Sequence, residues 1–221
     1  MVAFNLQNFG SLLNGLLSTI LLAGAALALG TAIGFVFGVA RALRFPIANE
    51  LICAFVHSVR GTPFLVQLYV LYFVLPPVIL HVTDIAPYKA GLAALALYAG
   101  GYTVEIVRGA MLAVPSAQIE AGKALGLNLP QRLLLVVLPQ ALRLMVPPIG
   151  SLYVIIIKST SVLSIIGISE LLRSGEVLSM RFPQSMPLVY LIVAALYFCV
   201  CFPLLRMVRR LERRVAPLGS N

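Results

Sequence analysis

Three stretches of this chain, residues 1–40, 61–83 and 182–205, contain no charged side chain. Each reaches the roughly 20 apolar residues that an α-helix needs to cross the hydrocarbon of a bilayer. Few folds tolerate such runs, because lipid offers the backbone no partners and a segment immersed in it must satisfy its own N–H and C=O groups. Composition excludes the ordinary soluble domain: 61% of residues are hydrophobic and 10% charged, against about half and about a quarter in typical soluble domains.

Two shorter apolar runs, 90–104 and 144–157, the latter continuing through Lys158 to Ser169, add two helices with ionisable residues in or near the membrane. The expectation is an all-α membrane protein of five transmembrane helices, forming one domain over 1–221. A cytoplasmic loop spans about 109–139 and a basic tail 206–221. Loop charge sets the orientation. With the C-terminus inside, Arg41, Arg44, Arg60, Arg108, Lys123, Arg132, Arg143 and the arginines of the tail are cytoplasmic, leaving Lys89, Lys158, Arg173 and Arg181 outside or buried. That gives N-out, C-in. The net charge of +9 does not imply nucleic acid, since the basic residues sit at the ends of apolar runs and form no stripe with interleaved aromatics. Residues 1–40 carry no Lys or Arg to form the basic start of a cleaved leader, so the N-terminus is expected to be retained. His57 and His81 are far apart in sequence and no ligand partner stands at helical spacing, so no metal site is expected. Cys53, Cys199 and Cys201 read as packing or lipid-facing residues.

In the first span Gly30, Gly34 and Gly38 recur every fourth residue, a groove that lets another helix approach closely where apolar burial gives no driving force. Between the third and fourth spans the chain is punctuated. Ser116 after Pro115 can cap a helix that Gly126 ends in a left-handed conformation, and Asn128 with Gln131 looks like the capping box of a second. In the first of these helices Ile119, Gly122 and Gly126 share a side, while Gln118, Glu120 and Lys123 offer polar contacts. By periodicity alone this is either a helix resting on the membrane surface or a docking bracket for another protein.

The residues themselves favour docking. Glu120-Ala121-Gly122, then Gly126, then Val136-Val137-Leu138-Pro139 resemble the EAA loop of bacterial ABC importer permeases, with Gly122 where a second alanine is usual and Val136 where isoleucine is common. Arg60-Gly61-Thr62-Pro63-Phe64-Leu65-Val66-Gln67, the stretch from Tyr102 to Ala110, and Ile157 to Ser164 narrow the resemblance to the polar amino acid and opine branch, and it covers about residues 11–207. The resemblance implies a type I ABC importer permease-like fold in the bacterial inner membrane. Ser116, Ile119, Glu120, Ala121, Gly122, Leu125 and Gly126 would then couple to the ATPase. The implied partners are two ATPase subunits that bind ATP and magnesium, a second permease subunit, identical or related, and an external solute-binding protein. No G-x-x-x-x-G-K-[ST] loop occurs in the chain, so energy is expected from another polypeptide. An ATPase-independent channel or ion-coupled carrier is the alternative. Such a protein has no need of a docking bracket.

A solute site is expected where broken or short helices carry polar groups near mid-membrane. At the helical rise, Tyr98 and Tyr102 lie roughly 15 and 21 Å beyond Tyr88, and Lys158 about 21 Å beyond Leu144. A lysine in the bilayer costs about 2.5–3.5 kcal/mol unless it snorkels or meets an anion. The carboxylate of an amino acid would suit it, with the hydroxyls of Ser159, Thr160 and Ser161 alongside. The alternative is that Lys158 snorkels to the outer headgroups, near Glu170. Gln67 is a further candidate for the pathway, whereas Arg60 reads as a helix start at the inner surface. Glu105 and Arg108, three apart, form either an intrahelical ion pair or a gating or subunit contact. Residues 167–181 are expected to lie along the outer face and to help receive the binding protein.

Overall fold

The computed structural model describes residues 6–44, 46–81 and 85–215. The first residues of run 1–40, the last of run 61–83, and residues 216–221 of the tail lie outside them. The helices are α1 (Leu6–Ala42), α2 (Pro46–Gly61), α3 (Phe64–Tyr69), α4 (Pro87–Leu112), α5 (Ser116–Ala124), α6 (Leu129–Arg132), α7 (Leu138–Ser159), α8 (Leu171–Arg181) and α9 (Met186–Val215). Wider π turns at Val70–Val74 and Pro76–Leu80 prolong α3, another at Leu133–Val137 joins α6 to α7, and a 3₁₀ segment at Thr160–Ile166 prolongs α7. Four stretches, 9–42, 87–112, 129–166 and 183–215, are long and apolar enough to cross a membrane, and the pair 49–61 and 64–74 makes a fifth when taken as one broken span.

That fifth span departs from the expectation of one run over 61–83. Its two arms bend by 113°, and the first, α2, lies before that run and carries Glu50, His57 and Arg60. The fourth span differs too. The helix capped at Asn128 is no separate half of a bracket but continues without a gap through the π turn into the span. The widening just precedes Pro139, whose ring and missing N–H would break a regular α-helix there.

α1 and α4 run parallel, and the glycine stripe is their seam. A Cβ on Gly30 would stand 2.6 Å from the carbonyl of Ala96, one on Gly34 2.5 Å from Thr103, and one on Gly38 2.5 Å from Val107. Gly34→Ala is expected to lower stability by about 1–3 kcal/mol, the cost of overpacking a tight contact. The thermal midpoint of the purified chain measures it, and an unchanged midpoint would refute the seam.

One end of the bundle is tied by Glu170, which is fully buried. Its Oε1 caps α8 by accepting from the Arg173 N–H at 2.7 Å, and its Oε2 accepts from Tyr197 of α9 at 2.9 Å and Thr19 of α1 at 3.5 Å. Thr19 in turn accepts the Leu171 N–H at 3.1 Å. Removing the carboxyl strands these buried donors, so Glu170→Ala should cost about 1–3 kcal/mol. Burial raises the Glu170 pKa above the usual carboxylate range. A carboxyl whose folded pKa is raised penalises the folded state once it must ionise. The thermal midpoint is therefore expected to fall as pH rises from the ordinary carboxylate range through the raised value, and Glu170→Gln should flatten that slope.

Candidate functional site

The break between α2 and α3 is a built corner. Thr62 donates to the Ser58 carbonyl at 2.7 Å, and the Gln67 amide nitrogen reaches Val59 O at 2.7 Å, Thr62 O at 3.0 Å and Thr62 Oγ1 at 3.1 Å. Gln67 thus braces the bend. Val59 seats the corner against Gly101 of α4, where a Cβ would lie 2.7 Å from its methyl.

This seating lays Arg60 beside α4 while leaving it exposed. Its guanidinium carbon lies 5.4 Å from the centre of the Tyr102 ring, and Tyr102 is six residues, about 9 Å, inward of Arg108 along α4. Arg60 lies in the last turn of α2, so it ends a helix and does not start one as expected. The Tyr98 and Tyr102 rings meet at 5.0 Å with a tilt of 57° and their hydroxyls 3.4 Å apart, and Phe64 closes on Tyr98 at 5.1 Å. Arg60 belongs to no ion pair among the described residues. A guanidinium presents a planar fork of donors matched to a carboxylate, and aromatic faces stabilise a cation by about 0.5–2 kcal/mol. The guanidinium of the cluster can hold an anion.

Lys158 does not join it. No hydrogen bond, ion pair or ring contact among the described residues joins Lys158 to the cluster. Lys158 is exposed and forms no ion pair among the described residues, so the suggested link to Glu170 is absent. Glu170 is committed to Thr19, Tyr197 and the start of α8. Ser159, Thr160 and Ser161 turn their hydroxyls back onto the carbonyls of Ile155, Ile157 and Lys158 at 3.0, 2.8 and 2.7 Å, and Thr160 is fully buried.

A second site lies in the loop after α4. Helix α5 begins at Ser116, which is its first helical residue and not its cap; Pro115 takes that position without a side-chain bond. At the other end Gly126 adopts φ +74°, Gly126 N bonds to Lys123 O at 2.9 Å and Leu127 N to Gly122 O at 3.0 Å, a Schellman closure. Asn128 and Gln131 exchange both bonds of a capping box, at 2.9 and 3.0 Å. Gly122 is buried against Arg132, which donates to Leu127 O at 2.7 Å, and Gln140 of α7 donates to Gln118 at 2.6 Å. Ile119 packs inward on Val114, Val137 and their neighbours. Ile119 and Gly122 therefore seat the loop, while Glu120, Ala121 and Leu125 face out, Leu125 being 80% exposed. Glu120 and Lys123 pair on that outer face at 2.8 Å.

Glu105 is more than half of an intrahelical pair. It meets Arg41 of α1 as well as Arg108, the latter at 3.7 Å, and Arg41 also donates to Cys53 of α2 at 3.3 Å. Three helices meet at this node.

A sequence profile of the family described as binding-protein-dependent transport system inner membrane component matches residues 30–217. The chain is 37% identical to the glutamine transport system permease protein GlnP of Escherichia coli (strain K12) over 205 residues, 92% of each chain. It is 34% identical to the octopine transport system permease protein OccM of Rhizobium radiobacter over 226 residues, 99% of this chain and 91% of the relative. Among solved structures it resembles an amino acid ABC transporter crystallised with histidines, with TM-score 0.86 and 26% identity over 97% of this chain and 100% of that one.

Proposed function

The chain belongs to the family of binding-protein-dependent transport system inner membrane components, the permease subunits of ABC importers, and on that premise we propose that it carries a polar amino acid or a related opine into the cytoplasm. Arg60 carries the reading. An exposed guanidinium set on an aromatic ring, with no acidic partner among the described residues, keeps its fork of donors open to an anion. The carboxylate of an amino acid supplies that anion. Lys158, with Ser159, Thr160 and Ser161, lies on the outward approach to this centre, where a single cation attracts the same carboxylate.

A binding-protein-dependent importer works with an ATPase and a solute-binding protein. In the assembly we infer, two ATPases that hold ATP and magnesium clasp the outward residues Glu120, Ala121 and Leu125 of two permease subunits, identical or related. Their closure on ATP draws the loops together. Because each loop continues as one helix from Asn128 into the fourth span, the displacement is delivered to the bundle and turns the centre from outward to inward exposure. The node of Glu105, Arg41 and Arg108 lies between loop and centre and serves as a gate or subunit contact. The orientation is N-out and C-in, with α8 toward the binding protein.

Stimulation of ATP hydrolysis tests the reading. In the reconstituted assembly with its binding protein, polar amino acids should raise turnover and their decarboxylated amines should not. Equal stimulation by the amines would overturn the carboxylate assignment, and uptake at full rate without an ATPase would overturn the function.

A further inference from the structure

At the loop end of the bundle a cavity of about 370 Å³ opens between α1, α2 and α4, lined by Arg41, Ala42, Arg44, Asn49, Arg108 and Leu112. Three guanidinium groups line it, and two of them, Arg41 and Arg108, share the carboxylate of Glu105. Arg44 belongs to no ion pair among the described residues, and Glu50, the next acidic residue along α2, is exposed and pairs with none of the three. Positive charge is left over. Arg44 also holds φ +57°, a left-handed backbone that a non-glycine residue adopts at a cost of about 1–2 kcal/mol. That turn ends α1 at the cavity's edge.

The surroundings say what kind of anion fits. One turn from Arg41 toward the hydrocarbon, on the same face of α1, Phe37 stacks edge-on against Phe55 of α2 at 6.5 Å. Phe37, Val36 and Leu112 are exposed, Val36 at 65%. A ligand whose anionic head enters the arginines thus finds apolar surface running straight into the bilayer. A free anion would have no use for that surface. Basic pockets between transmembrane helices suit phosphate-bearing lipid heads, each arginine near the surface contributing about 1 kcal/mol.

We propose that this cavity is a binding site for an anionic phospholipid of the leaflet on the coupling-loop side, its phosphate held by Arg44 and Arg108 and its acyl chains laid along Phe37 and Val36. The site is separate from the solute centre and from the ATPase-facing loop, so the assignment stands independently of both. Its consequence is functional. A lipid phosphate pulling on Arg108 competes with Glu105 for that arginine and couples the composition of the leaflet to the node between the loop and the bundle.

Native mass spectrometry of the full purified chain, delipidated and then titrated with phosphatidylglycerol or with phosphatidylcholine of the same acyl chains, decides the matter. The wild type should retain phosphatidylglycerol preferentially. Arg44→Ala should lower that retention about fivefold and Arg44→Ala with Arg108→Gln about thirtyfold, as one and two surface charges predict, with phosphatidylcholine unaffected. Arg44→Lys keeps the charge and should retain most of the binding, which separates charge loss from a damaged fold. Equal retention of the two lipids by the wild type, or undiminished phosphatidylglycerol binding by the double variant, overturns the site. Displacement of the lipid by millimolar inorganic phosphate overturns the lipid assignment in favour of a soluble anion.

Discussion

Arg60→Ala is expected to abolish measurable uptake in the assembled importer while the complex with the ATPase stays intact. Truncating one partner of a desolvated charge pair costs about 2–5 kcal/mol, a loss of roughly 30-fold to several thousandfold in apparent affinity. The fold should survive, because Arg60 is exposed on the monomer and makes no ion pair among the described residues, while the corner is held by Gln67, Thr62 and Ser58. Arg60→Lys should recover part of the activity with a raised KM, since lysine supplies the charge without the planar fork. Tyr102→Phe should act mildly and Tyr102→Ala strongly, because the ring face carries the guanidinium. Lys158→Ala in the same assay separates the two cations. Normal uptake by Arg60→Ala with loss in Lys158→Ala would move the solute site to the end of α7.

The second large effect is expected at the coupling loop. Leu125→Asp and Glu120→Arg should each weaken association with the ATPase by about 2–4 kcal/mol, the range for a central contact in an interface. The permease itself should remain folded. Leu125 is 80% exposed and Glu120 pairs only with neighbouring Lys123 on the surface. Gly126→Trp should have a comparable effect by another route, since φ +74° at that position strains a bulky L-residue by about 1–2 kcal/mol and opens the turn that presents Leu125. Co-purification of the untagged ATPase is the measurement. Full retention by all three variants would remove the docking role, whereas loss only in Gly126→Trp would assign the loop's shape and not its outward side chains.

Much of the architecture was legible in the chain because lipid imposes one-dimensional rules. A charge-free run becomes a helix wherever it falls, so 1–40 and 182–205 read directly. Turn chemistry is equally local: the box of Asn128 with Gln131 and the left-handed Gly126 are written in the residues that form them. The glycines every four residues in α1 announced a close helix contact, though not that α4 would fill it.

Of the proposed solute centre, Tyr98 and Tyr102 were legible and Arg60 was not, and the reason is geometric. Depth in a membrane was counted along the chain from the first uncharged residue, a rule that places Gly61 at an entrance and Arg60 outside. The 113° corner defeats that count. Once α2 packs through Val59 onto Gly101, the charge expected to mark the surface is set against Tyr102. Local chemistry therefore determined which segments are helices, where they stop and which loop is rigid. Which polar groups meet inside the bundle was decided by tertiary packing, because a bend between two helices rotates side chains through distances that no spacing along the sequence records.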